Sequence, residues 1–214
     1  MPNFADSASN LPFILIGVLG LRALSACCPP GGLTELLPVY RAFFAGMVLV
    51  GLGSLYYHLA PSNATLVWDR LPMTLSFMAF FAAIVGEHLS PALGRRLLWP
   101  LSAVGIATVL YWHVTETAGR GDLRPYGLVQ FLPLALMPLI LLRHPSRLRS
   151  TGYLWAVLAA YALAKGAEAA DERIFGLTGV ISGHSLKHLL AAGGGLAFLI
   201  ALRERRPARL DPAG

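Results

Sequence analysis

Seven apolar stretches follow one another along this chain, at Leu11–Cys27, Val39–Leu59, Leu71–His88, Leu97–Val114, Tyr126–Leu142, Tyr153–Ala170 and His184–Leu202. Each is long enough to cross the roughly 30 Å hydrocarbon core of a bilayer as a helix. The first carries Arg22 and the sixth carries Lys165 and Glu168, while the other five are free of such interruptions over most of their length. Composition agrees with lipid as the main solvent: 56% of the 214 residues are hydrophobic and 13% charged, about half the charged share of an ordinary soluble domain. A chain of this size has too much surface to hide so many apolar side chains in one aqueous core. The expected fold is an all-α membrane protein, a seven-transmembrane helix bundle.

Helix breakers fall between the stretches, at Pro29-Pro30-Gly31-Gly32, Pro61-Ser62-Asn63, Ser90-Pro91, Gly119-Arg120-Gly121-Asp122 and His144-Pro145, so the connections are short. No internal repeat or low-complexity linker divides the chain, and residues 1–214 read as a single domain. The net charge of +6 does not indicate a nucleic-acid partner, because the arginines flank apolar stretches instead of alternating with exposed aromatics. They read as topology signals. Arg95, Arg96, Arg143, Arg147, Arg149, Arg203, Arg205, Arg206 and Arg209 gather on the side where the even-numbered stretches begin and the chain ends, which places the C-terminus in the cytoplasm and the N-terminus outside. Cys27 and Cys28 are the only cysteines, and adjacent cysteines rarely reach relaxed disulfide geometry. Leu24-Ser25-Ala26-Cys27 looks like a lipoprotein cleavage box, but no basic segment precedes it and Arg22 breaks the apolar run.

Polar groups inside a membrane are costly and therefore informative. Ser54 and His58 lie four residues apart near the end of the second stretch and share a helix face. Asp69 follows at the expected start of the third, and His184 and His188 open the seventh one turn apart. With alternating crossings, these three places share one membrane depth on the N-terminal side. Three neutral imidazoles suit zinc, and a three-histidine site leaves a fourth position open, which is the pattern of a catalytic metal. Zinc lowers the pKa of a water it holds to about 7 and polarises a carbonyl. Asp69 is placed to take a proton from that water and return it to a departing amine. Ser54 serves either the developing oxyanion or the water. Taken singly, Ser54 back-bonds to its own helix, Asp69 caps a helix N-terminus, and His88, His113 and His144 at other helix ends cap or meet headgroups.

At these residues the chain resembles the alkaline ceramidase family, within the wider superfamily of seven-span membrane hydrolases that includes the adiponectin-receptor-like proteins. Ser54, His58, Asp69 and the late His184/His188 pair reproduce the family motif in order and spacing. Asp69-Arg70-Leu71-Pro72-Met73 is similar to the segment at the family's aspartate, and Ser9-Asn10 to its early Ser-Asn. The resemblance implies Zn2+ held by His58, His184 and His188, Asp69 and Ser54 acting beside it, and cleavage of the amide bond of ceramide or a related N-acyl membrane lipid to a free amine and a fatty acid. Eukaryotic members place an acidic calcium-binding segment before the first helix. Here only Asp6 is acidic in that region, so no such calcium site is expected, and the short chain is more like bacterial members, located in the inner membrane.

Lys165, Glu168, Asp171 and Lys187 are further pocket candidates. Lys165 and Glu168 are three apart on a helix, which reads either as an ion pair that lets the sixth stretch tolerate charge or as a headgroup contact. Gly193-Gly194-Gly195 reads as close helix packing, and Pro133 and Pro138 as kinks. Two rival functions share these residues: a hydrolase of a lipid ester or phosphoester, since metal chemistry polarises either bond, and a seven-span receptor or transporter with a structural metal.

Overall fold

The computed structural model describes residues 4–25 and 29–206. Ala26 and Cys27 of the cleavage-box motif, Cys28 and Arg209 lie outside these residues. The described part is all-helical, with no strand among the described residues: α1 Phe4–Ala8, α2 Leu11–Ala23, a 3-10 turn at Thr34–Leu36, α3 Leu37–Leu59, α4 Asn63–His88, α5 Pro91–Thr117, α6 Arg124–Arg143, α7 Gly152–Ala169, α8 Asp171–Thr178 and α9 Gly183–Glu204.

Among the described residues, six helical segments are long and apolar enough to cross a membrane: Phe4–Ala23, Thr34–Leu59, Asn63–His88, Pro91–Thr117, Arg124–Arg143 and Gly183–Glu204. The sequence suggests seven; α7, which carries Lys165 and Glu168, is not in this set. Large apolar side chains face outward all along the bundle, among them Leu52, Trp99, Leu110 and Leu139, as expected where lipid replaces water.

The third span starts eight residues earlier than the apolar pattern suggests. Ser62 caps α4, its hydroxyl accepting from the Thr65 N–H while the Thr65 hydroxyl accepts from the Ser62 N–H, a reciprocal capping box. Asp69 therefore sits inside a helix and is not its cap. Hydropathy hides this turn, because Asn63 to Arg70 mixes polar with apolar residues and only the capping chemistry marks the true start.

Small residues set how closely the helices approach. A Cβ on Gly53 of α3 would lie 2.0 Å from the Trp68 carbonyl oxygen of α4, so only glycine lets the two backbones meet there, one residue from both Ser54 and Asp69. Helix α7 runs antiparallel to α9: Gly183 faces the Ala167 carbonyl, and Gly194 faces Val157 and Ala160. Gly195 packs against Met47 of α3. The glycine run in α9 is thus a packing surface at two of its three positions, and Gly193 meets nothing.

The far end of the bundle holds a buried ion pair. Arg205 Nη1 and Nη2 donate to the two Glu87 oxygens at 2.7 and 2.8 Å, and Tyr40 Oη donates to Glu87 Oε1 at 2.8 Å. Both charged side chains are wholly buried. Arg205, which reads as a topology signal in the sequence, is instead a tie between α3, α4 and the end of α9. Nearby, His88 Nδ1 donates to the His144 carbonyl at 2.7 Å, so His88 serves the C-terminal end of α6.

Candidate metal centre

His58 is in the last turn of α3, and His184 and His188 are in the first two turns of α9. The antiparallel path of the helices brings both places to one end of the bundle. Their side chains each offer a nitrogen, and these three atoms lie within 4.8 Å of one another. His58 Nε2 and His184 Nε2 are 3.2 Å apart, and the ring centroids of the three pairs are 4.7 to 5.3 Å apart. A tetrahedral ion with metal–nitrogen bonds of about 2.0–2.1 Å requires nitrogen pairs about 3.3 Å apart, so one edge is already at that length. His58 and His188 are buried and His184 half-buried. Three imidazoles without a thiolate suit zinc and also copper, iron or nickel.

The start of α9 is held by polar contacts. Ser182 caps the helix, accepting from the Ser185 N–H at 2.9 Å. The Asp171 carboxylate accepts from the His184 N–H at 2.7 Å. Asp171, a pocket candidate from sequence, is not among the residues lining the cavity described below; its carboxylate is occupied with the helix end. Two groups at the other end of the chain also contact α9. Asp6 Oδ1 accepts from Ser182 Oγ at 2.9 Å and Ser185 Oγ at 2.5 Å, and Ser9 Oγ is 2.8 Å from His188 Nδ1.

Ser54 is one turn before His58 on α3, buried, and its hydroxyl has no hydrogen-bond partner of good geometry. The half-buried Asp69 carboxylate sits beside it, with His58, Arg70 and Lys187 in its surroundings. A buried hydroxyl without a partner is costly, and next to three converging imidazoles it fits a site that holds a metal and its ligands. The residues present therefore fit a bound metal ion.

Ser54, Asp69, His184 and His188 open on a cavity of about 550 Å³, within the usual range for small-molecule sites. It is lined at one end by Ser54, Asp69, His184 and His188 and at the other by Phe43, Phe80 and Met137. The eleven residue steps along α3 from Phe43 to Ser54 rise about 16 Å. Phe43 and Phe80 belong to an aromatic cluster with Phe198, with centroids 5.0 and 5.2 Å from it, which floors the cavity. Lys165, Glu168 and Lys187 line the polar end. Glu168 is paired with Lys165 and lies 3.0 Å from the Lys187 ammonium, which is also 3.3 Å from His184 Nδ1.

Helices α6 and α7 are consecutive and both line the cavity, yet they scarcely touch each other. A hydrogen bond from Gln130 Nε2 to Tyr161 Oη, 2.6 Å long, reaches across the gap. Phe131, half exposed, stands at its edge.

The model of one protein family, described as Ceramidase, matches residues 1–164. The chain belongs to the Ceramidase family. Membership implies hydrolysis of a lipid amide. No curated protein matches the chain. The match covers α1 to most of α7, including Ser54, His58 and Asp69, and ends before α9. His184 and His188 lie beyond the matched residues, and it is the geometry that brings them to His58. Sequence reasoning did not assign roles to Asp6 and Ser9. The signal was available in Ser9-Asn10, which the family resemblance marks, but no spacing rule links residue 9 to residue 188.

Proposed function

We propose that this chain is a seven-span, zinc-dependent membrane hydrolase that cleaves the amide bond of ceramide or a related N-acyl lipid. The observation that carries the reading is the convergence of three imidazoles within 4.8 Å, two of them lining the polar end of a mainly apolar cavity of about 550 Å³, in a chain of the Ceramidase family. His58, His184 and His188 would hold the ion. When bound there, zinc supplies Lewis acidity and makes water a nucleophile near neutral pH.

The chain's own groups do the rest. A carboxylate oxygen of Asp69 accepts the proton of the attacking water and delivers it to the departing amine nitrogen. The Ser54 hydroxyl donates a hydrogen bond to the substrate carbonyl oxygen as charge develops. The acyl chain lies along Val50, Met47 and Phe43 toward the aromatic floor, excluding water from the reacting end. The lipid enters sideways through the gap between α6 and α7, and Lys165, Glu168 and Lys187 meet its polar headgroup.

The seventh crossing in this reading is α7, which runs the length of α9, its charges turned to the cavity instead of to lipid. The arginine distribution supports an N-terminus outside and a C-terminus in the cytoplasm of a bacterial inner membrane, with residues 1–214 forming one domain. The test is to incubate the purified protein with ceramide and with a matched lipid ester and separate the products by chromatography. Release of fatty acid and free sphingoid base is expected. An intact amide alongside a cleaved ester would refute the assignment of the bond.

A further inference from the structure

Helix α1 is five residues long and buries none of them, so apolar packing does not account for its position. Polar bonds hold it. Besides the two serine hydroxyls on the Asp6 carboxylate, the Asp6 backbone carbonyl accepts from Ser9 Oγ at 2.9 Å and from Asn10 Nδ2 at 2.7 Å. Ser9 is buried, and its oxygen is 2.8 Å from His188 Nδ1.

A serine hydroxyl has one proton. A backbone carbonyl can only accept, so the bond to Asp6 uses that proton. The contact with His188 must then run the other way, with Nδ1–H donating to a lone pair of Ser9. That places the ring proton on Nδ1 and leaves Nε2 as the nitrogen with a free lone pair. The opposite arrangement, Ser9 donating to Nδ1, would put the proton on Nε2 and remove that nitrogen from any ion.

We propose that Ser9 is a positioning residue that fixes the Nδ1–H tautomer of His188 and so presents Nε2 to the metal, making the turn between α1 and α2 a support of the centre. This rests on the reading of the three histidines as a metal site. Outer-shell partners of this kind typically contribute 10–100-fold to metal affinity.

The experiment measures zinc affinity by chelator competition in the full-length protein, in Ser9→Ala and in Ser9→Thr, with visible absorption of the cobalt-loaded forms. Ser9→Ala should bind zinc about 10–100-fold more weakly and shift the cobalt spectrum, while Ser9→Thr, which keeps the hydroxyl, restores both. Nitrogen NMR of the zinc-loaded wild type decides the matter even if the alanine variant does not fold: His188 should carry its proton on Nδ1. Unchanged affinity in Ser9→Ala, or a metal-bound Nδ1, overturns the role of Ser9 and leaves the metal centre standing. A wild-type chain that binds no metal overturns both.

Discussion

His58 Nε2 and His184 Nε2 stand 3.2 Å apart although 126 residues separate them in the chain. A single N–H···N bond would account for these two rings but not for the third, His188, packed against both. A cation that takes the lone pairs of both, and of His188, gives the contact a purpose, and the surrounding residues imply specific consequences.

The first concerns Asp69. Asp69→Asn keeps the size of the side chain but cannot accept a proton, so amide hydrolysis should fall by about 10²–10⁴-fold. Metal content should be unchanged, because Asp69 is not one of the three nitrogen donors. Turnover assays and metal analysis on the same sample check both halves.

The second concerns Gly53. A methyl group there would meet the Trp68 carbonyl at 2.0 Å, forcing α3 and α4 apart beside Ser54 and Asp69. Overpacking of this kind costs about 1–3 kcal/mol. Gly53→Ala should lower the unfolding midpoint in detergent and reduce turnover more than a glycine-to-alanine change at Gly193, whose Cβ would meet nothing.

The cavity makes the third prediction. Val157 lines it on α7, on the side of Gly194 and distant in sequence from the polar end at Lys165 and Glu168. Val157→Trp should fill the apolar part, shifting preference toward N-acyl lipids with shorter chains while leaving metal content intact. Competition between substrates of different chain length reads the change.

How far such a site can be foreseen depends on the range of the interactions. The helices were legible because apolar length is a local property, and Ser54–His58 and His184–His188 because a helix face is fixed by a spacing of four. The start of α4 was not, since a capping box at Ser62 and Thr65 outweighs hydropathy over the next turn. The contacts of Asp6 and Ser9 with α9 depend on tertiary placement, to which no periodicity points. Lys165 and Glu168 could be read as a pair, but their relation to Lys187 required α7 and α9 to be aligned. Glu87 and Arg205 were invisible as partners because each sits at the end of an apolar stretch, where a charge ordinarily faces water.

That ion pair supplies the fourth prediction. Arg205→Met leaves Glu87 buried without its partner and should destabilise the fold by about 3–5 kcal/mol. Adding Glu87→Leu to the same chain should recover much of the loss, because no uncompensated charge is then buried. Unfolding of the two variants in detergent measures the difference, and the metal site at the other end of the bundle should retain its ion in both.

The most direct test of the account is the metal content of the purified protein, compared with a chain carrying both His184→Ala and His188→Ala. The account predicts about one zinc ion per wild-type chain and none in the double variant, with hydrolysis of N-acyl lipid lost in step. A wild-type protein free of metal, or a double variant that keeps it, would contradict the central claim.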